Sequence, residues 1–92
     1  MNIIVRYTEE SLFGDVDPEA ENIDVSASMD QYNEMVKSAI AVEYPSSEIG
    51  VGPGERARVI VDDNADTFDA LHIAGIEAGV WADWEWVVKN QA

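Results

Sequence analysis

The pattern of this chain predicts an α+β fold: a mainly antiparallel sheet of about four strands with two helices packed on one face, in the order β-β-α-β-α-β. Two observations carry the prediction. Ile3-Ile4-Val5 and Val59-Ile60-Val61 are short β-branched runs of strand composition. Two longer segments repeat apolar residues at helical spacing, each preceded by residues able to cap a helix. The 92 residues fit a single domain, 1–92, around one small core.

In chain order, residues 2–8 (NIIVRYT) read as a first strand, and its consecutive apolar residues place it inside the sheet. Residues 9–24 read as a long acidic loop, broken by Gly14 and Pro18 and pinned to the body by Leu12 and Phe13. Residues 23–27 alternate and suggest a short second strand. Ser28 and Gln31 have capping-box spacing, and Tyr32, Met35, Val36, Ala39 and Ile40 then form an amphipathic stripe, giving a helix over residues 29–43 closed by Pro45. Gly50, Gly52 and Gly54 lack the Lys-Ser or Lys-Thr of a phosphate loop and read as hairpin punctuation between residues 48–51 and a strand at 56–62. Asp63, Asn64 and Asp66 can cap a second helix, with Phe68, Leu71, Ile73, Ala74 and Ile76 at helical spacing and Gly79 as its stop. In residues 80–89 two periods compete, and the aromatic and β-branched content favours a last strand over a helix. The expected core is Ile3, Val5, Tyr32, Met35, Val36, Ala39, Ile40, Val59, Val61, Phe68, Leu71, Trp84 and Trp86.

Charge is the outlying property. Nineteen acids face five bases, a formal net charge of −14. Self-repulsion on this scale opposes the compact state and calls for a basic partner, a bound cation or a salty medium. It argues against direct nucleic-acid binding, which needs a basic face. No apolar run reaches the roughly 18 residues of a membrane span. The first residues lack the basic region of a signal peptide, and the chain has no cysteine, so a cytoplasmic location is expected.

No catalytic pattern emerges. The stretch Asp62-Asp63-Asn64-Ala65-Asp66 resembles the start of a calcium loop at its alternate positions, but Thr67 replaces the turn glycine and Ile73 the terminal glutamate. His72 is the only histidine, and no serine is placed beside it by spacing or by a nucleophile elbow. No enzyme activity, metal or cofactor is expected. The chemistry left is the acid distribution. Carboxylates fixed on one rigid face can imitate duplex phosphates and fill a basic groove, with long-range, salt-dependent attraction. The candidate partner-binding residues are Glu9, Glu10, Asp15, Asp17, Glu19, Glu21 and Asp24 together with Asp62, Asp63 and Asp66.

In size, acidity, absence of cysteine and absence of a catalytic signature the chain resembles the small acidic phage-encoded inhibitors, the anti-CRISPR and anti-restriction DNA-mimic proteins. That resemblance implies a phage or mobile-element protein in the bacterial cytoplasm that binds a basic nucleoprotein effector and blocks its access to DNA; a monomer is expected rather than a dimer. The alternative expectation is a halophile-type acidic interaction domain with no inhibitory role. It rests on the scarcity of lysine, only Lys37 and Lys89.

Overall fold

Alternate residues of the first strand separate cleanly. Ile3, Val5 and Tyr7 are buried, while Asn2, Ile4 and Arg6 face the other side. The computed structural model describes residues 1–14, 16–65 and 67–90. Strand β1 (Asn2–Tyr7) is the centre of a three-stranded mixed sheet. Strand β2 (Glu48–Pro53) runs parallel to it with Val5 beside Val51, and strand β3 (Arg58–Val61) runs antiparallel with Val5 beside Val59. Helix α2 (Val25–Glu43) packs on β2, and helix α3 (Phe68–Asp83) packs on β3 and on α2. Both cover the face of Ile3, Val5 and Tyr7. The short helix α1 (Glu9–Phe13) follows β1 directly.

The α+β class therefore holds, with three strands and three helices where four antiparallel strands and two helices were expected. The hairpin between residues 48–51 and 56–62 does not form, because β1 lies between those strands. Gly54 N–H donates to the Tyr7 carbonyl at 2.8 Å, so their connection crosses the end of β1.

Residues 23–27 are not a strand. Asp24 is the N-cap of α2 and accepts from Ala27 N–H at 3.0 Å, which starts the helix a turn earlier than Ser28. Ser28 is fully buried and uses its hydroxyl otherwise, accepting from Val88 N–H at 2.8 Å. Only Ile23 keeps a strand-like partner, an isolated bridge to Lys89.

Residues 9–24 are more ordered than a loop. Thr8 and Ser11 form a reciprocal capping box around α1, and Leu12 and Phe13 are buried.

The second helix is capped by Thr67, whose hydroxyl accepts from Ala70 N–H at 3.1 Å, rather than by Asp63 or Asn64. Asp66 lies outside the described residues. Gly79 does not stop this helix, which runs on to Asp83. The left-handed position is taken by Trp84, with φ 57°. The expected strand at 80–89 is thus the end of α3 followed by a turn. Trp81 helps to hold that extension, its indole N–H donating to the Leu12 carbonyl at 2.6 Å.

Helix α3 is also rotated relative to expectation. Ala70 and Ile73 face the core, while Phe68 and Leu71 are 82% and 70% exposed. Trp86 is the centre of the aromatic cluster, with Phe13, Tyr32 and Trp84 at ring-centroid distances of 5.7, 5.3 and 5.3 Å.

Candidate functional site

The acidic segment owes its order to backbone and apolar contacts, not to charge pairing. After α1 the chain turns tightly at residues 17–23, with Glu21 N–H donating to the Asp17 carbonyl and Ile23 N–H to the Pro18 carbonyl. The turn is then fastened to the C-terminal segment. Asp24 N–H donates to Val88, Asn90 N–H to Asn22, and Lys89 Nζ to the Glu21 carbonyl at 2.7 Å. Leu12 and Phe13 anchor the other end.

Within this frame the carboxylates have two roles. Asp17 accepts from Glu19 N–H at 3.1 Å and Asp24 caps α2, so both are structural. Glu9, Glu10, Glu19 and Glu21 are exposed, and the first three carboxylates accept no hydrogen bond among the described residues. Among the described residues only Glu21, 4.0 Å from Lys89, and Glu43, 2.9 Å from His72, come within ion-pair distance of a basic group. Asp15 lies outside the described residues.

The structure does not bring every expected site residue together. Asp62 and Asp63 follow β3 in a left-handed turn, with φ 48° and 69°. Asp62 Oδ1 accepts from Asn2 N–H at 2.8 Å, at the start of β1, whereas Glu9 follows its end. A strand of this length separates them by about 17 Å. The expected acidic face is therefore divided, with residues 9–24 following one end of β1 and Asp62 and Asp63 at the other.

Sequence reasoning missed an extension of the first patch. Asp30 and Glu34 are exposed at the rim of an open groove of about 940 Å³ floored by Ala27, Met35, Ala39, Val80 and Val88. Ala27, whose N–H donates to the Asp24 carboxylate, lines the groove, so Asp30 and Glu34 follow Asp24 along α2. The helical spacing of Asp30 and Glu34 was the available signal; the packing of Val88 against the start of α2 was not visible.

Two other chemical groupings lie apart from the acids. Glu77 is half-buried and accepts from the Tyr32 hydroxyl at 2.9 Å. Loss of water raises its carboxyl above the ordinary range, only partly opposed by that hydrogen bond. Burial, together with the neighbouring Glu77 charge, also raises Tyr32, and burial and the Asp30 charge push Tyr7 up to about 12. These three groups line an open cavity of about 300 Å³ together with Leu12 and Trp81. The second grouping is Arg6, Arg56 and Arg58, all of the chain's arginines, gathered on the sheet face that no helix covers.

Among the described residues no group of three or more His, Asp or Glu side chains is placed to hold a metal ion, and no helix is long and apolar enough to cross a membrane. Comparison with protein-family models, characterised proteins and solved structures found no match to this chain.

Proposed function

We propose that this protein is a non-enzymatic inhibitor that presents residues 9–24 and the adjoining edge of α2 to a basic nucleic-acid-binding surface, as a phage-encoded protein acting on a bacterial nucleoprotein effector would. One observation carries the reading. The acidic segment is fixed by hydrogen bonds and buried apolar anchors while its outward carboxylates go almost without basic neighbours. Carboxylates held ready in this way lose little freedom on meeting a cationic partner, so attraction is retained as affinity. The cost of their mutual repulsion is relieved when the partner arrives. The apolar floor of the α2 groove supplies contact area that does not depend on charge.

The test is affinity capture from bacterial lysate with wild-type protein and a Glu9→Lys, Glu10→Lys, Glu19→Lys variant. Asp17 and Asp24 are left intact because they hold the turn and the helix. Wild-type protein is expected to retain a nucleic-acid-binding protein that elutes as salt is raised, and the variant to lose it while keeping its circular dichroism spectrum and melting temperature. Equal capture by a folded variant would reject this surface.

A further inference from the structure

The arginine corner is built in a way that the acidic reading does not use. Arg6 and Arg58 are directly opposite each other on adjacent antiparallel strands, on the uncovered face. Like charges in that position destabilise a sheet. Arg56 joins them, and the three line a cavity of about 470 Å³ with Gly54 and Glu55. Acids outnumber bases nineteen to five in this chain, yet among the described residues none comes within 4.0 Å of these guanidinium groups. The backbone also makes room for them. A Cβ on Gly54 would stand 3.1–3.4 Å from the stem of Arg6, and one on Gly52 would stand 3.6 Å from its Nη1. Arg6 Nη1 donates to the Val5 carbonyl at 3.3 Å, which fixes the fork over the strand.

We propose that this corner is a binding site for the phosphate of a small phosphate monoester. Planar guanidinium forks match tetrahedral oxyanions by paired N–H donors, and three forks against the single Glu55 carboxylate leave a local charge of about +2, matched to a dianion. The bound phosphate takes the place of the missing carboxylates and relieves the repulsion between Arg6 and Arg58. The next row of the same face is apolar, with Ile4 beside Ile60 on one side and Gly50 on the other. It lies two residues along the strand, about 7 Å away, the reach of a sugar attached to the phosphate. A Cβ on Gly50 would meet nothing within 4 Å, so this row is an open shelf for the body of the ester.

The experiment titrates amide and arginine side-chain NMR signals with inorganic phosphate and, separately, adenosine 5′-monophosphate, at constant ionic strength. Saturable shifts confined to Gly50, Gly52, Gly54, Arg6, Arg56 and Arg58 are expected, with the monophosphate several-fold tighter than inorganic phosphate. Arg6→Gln with Arg58→Gln should weaken both at least tenfold and abolish the rise in melting temperature that phosphate gives the wild type. Arg58→Lys, which keeps the charge without the fork, should weaken them several-fold. Gly50→Val should remove only the preference for the ester. Shifts that do not saturate, or that persist in the double variant, mean an adventitious ion only and overturn the site. Equal affinity for the two probes overturns the shelf. Self-association through carboxylates of a second copy, seen by sedimentation and abolished by Arg58→Gln, overturns the phosphate assignment.

Discussion

The acidic segment at residues 9–24 and the arginine corner begin at the same end of β1 but on different sides of the sheet, and they are ordered by different means. The acids stand on a frame that would exist without their charge. Leu12 and Phe13 are buried, the turn at 17–23 is hydrogen-bonded, and the C-terminal segment fastens it. The arginines stand on glycine: the backbone at residues 52 and 54 is cleared of side chains so that Arg6 can lie across it. In both places charges of one sign outnumber their counter-charges among the described residues, which are Lys89 beside Glu21 in the first and Glu55 in the second. The difference is one of support: buried apolar anchors and backbone hydrogen bonds under the acids, glycine under the arginines. The two proposals assign them different ligands, one large and basic, the other small and anionic.

The strongest way to break the comparison is to remove the frame under the acids. Trp86→Ala empties the centre of the cluster holding Phe13 and Tyr32, and should cost about 3–5 kcal/mol. Urea melts would check this, and a loss below 1 kcal/mol would show that the segment is held otherwise. Ser28→Ala is narrower. It leaves the Val88 amide without its acceptor and should cost about 1–3 kcal/mol. Hydrogen exchange should quicken at Val88 and Asp24, while phosphate binding at the arginine corner stays unchanged. Thr8→Ala removes half of the α1 capping box and should cost about 1 kcal/mol, with faster exchange at Ser11.

A pH series sharpens the contrast by acting beneath both patches. Tyr7 and Tyr32 have folded-state values raised above the ordinary 10, so their neutral forms favour the folded state. Stability from them is complete below pH 10 and is lost as pH rises from about 10 to 12 and beyond. Glu77 has the same sign. Its raised carboxyl makes stability fall as pH climbs above the ordinary carboxylate value of 4.5. Tyr7→Phe should flatten the alkaline slope and Glu77→Gln the acidic one, each read from urea midpoints across pH. The smallest effect belongs to Phe68→Ser, within about 0.5 kcal/mol of wild type, because its ring is exposed. A larger loss would mean that this face of α3 is covered in solution.

How much of this was legible beforehand depended on distance along the chain. The stripe from Tyr32 to Ile40 gave α2, and Leu12 and Phe13 announced their burial as the large apolar residues in a run of acids. Local signals misled where a distant residue took over. Gly79 carries every mark of a helix stop, but Trp81 finds its acceptor at Leu12, and the helix continues. Phe68 and Leu71 fit the stripe as well as Ile73, and only the packing of α3 on β3 decides which of them is buried. The pairing of β1 with β2 in parallel was hidden because three short apolar strands can be ordered several ways. The division of the acids into two patches follows from that order, since it places Asp62 beside Asn2 rather than beside Glu9. Arg56 and Arg58 were visibly spaced for one face, but their meeting with Arg6 required the register of β1 and β3.

An inhibitor of the proposed kind works by having the outward carboxylates of residues 9–24 compete with nucleic acid for a basic surface. The direct measurement is fluorescence anisotropy of labelled duplex DNA bound to the captured partner, titrated with this protein at two salt concentrations. Stoichiometric release of DNA by wild-type protein, weaker at higher salt and at least tenfold weaker for the Glu9→Lys, Glu10→Lys, Glu19→Lys variant, is the predicted result. DNA that stays bound at saturating protein, or release equal for the folded variant, would contradict it.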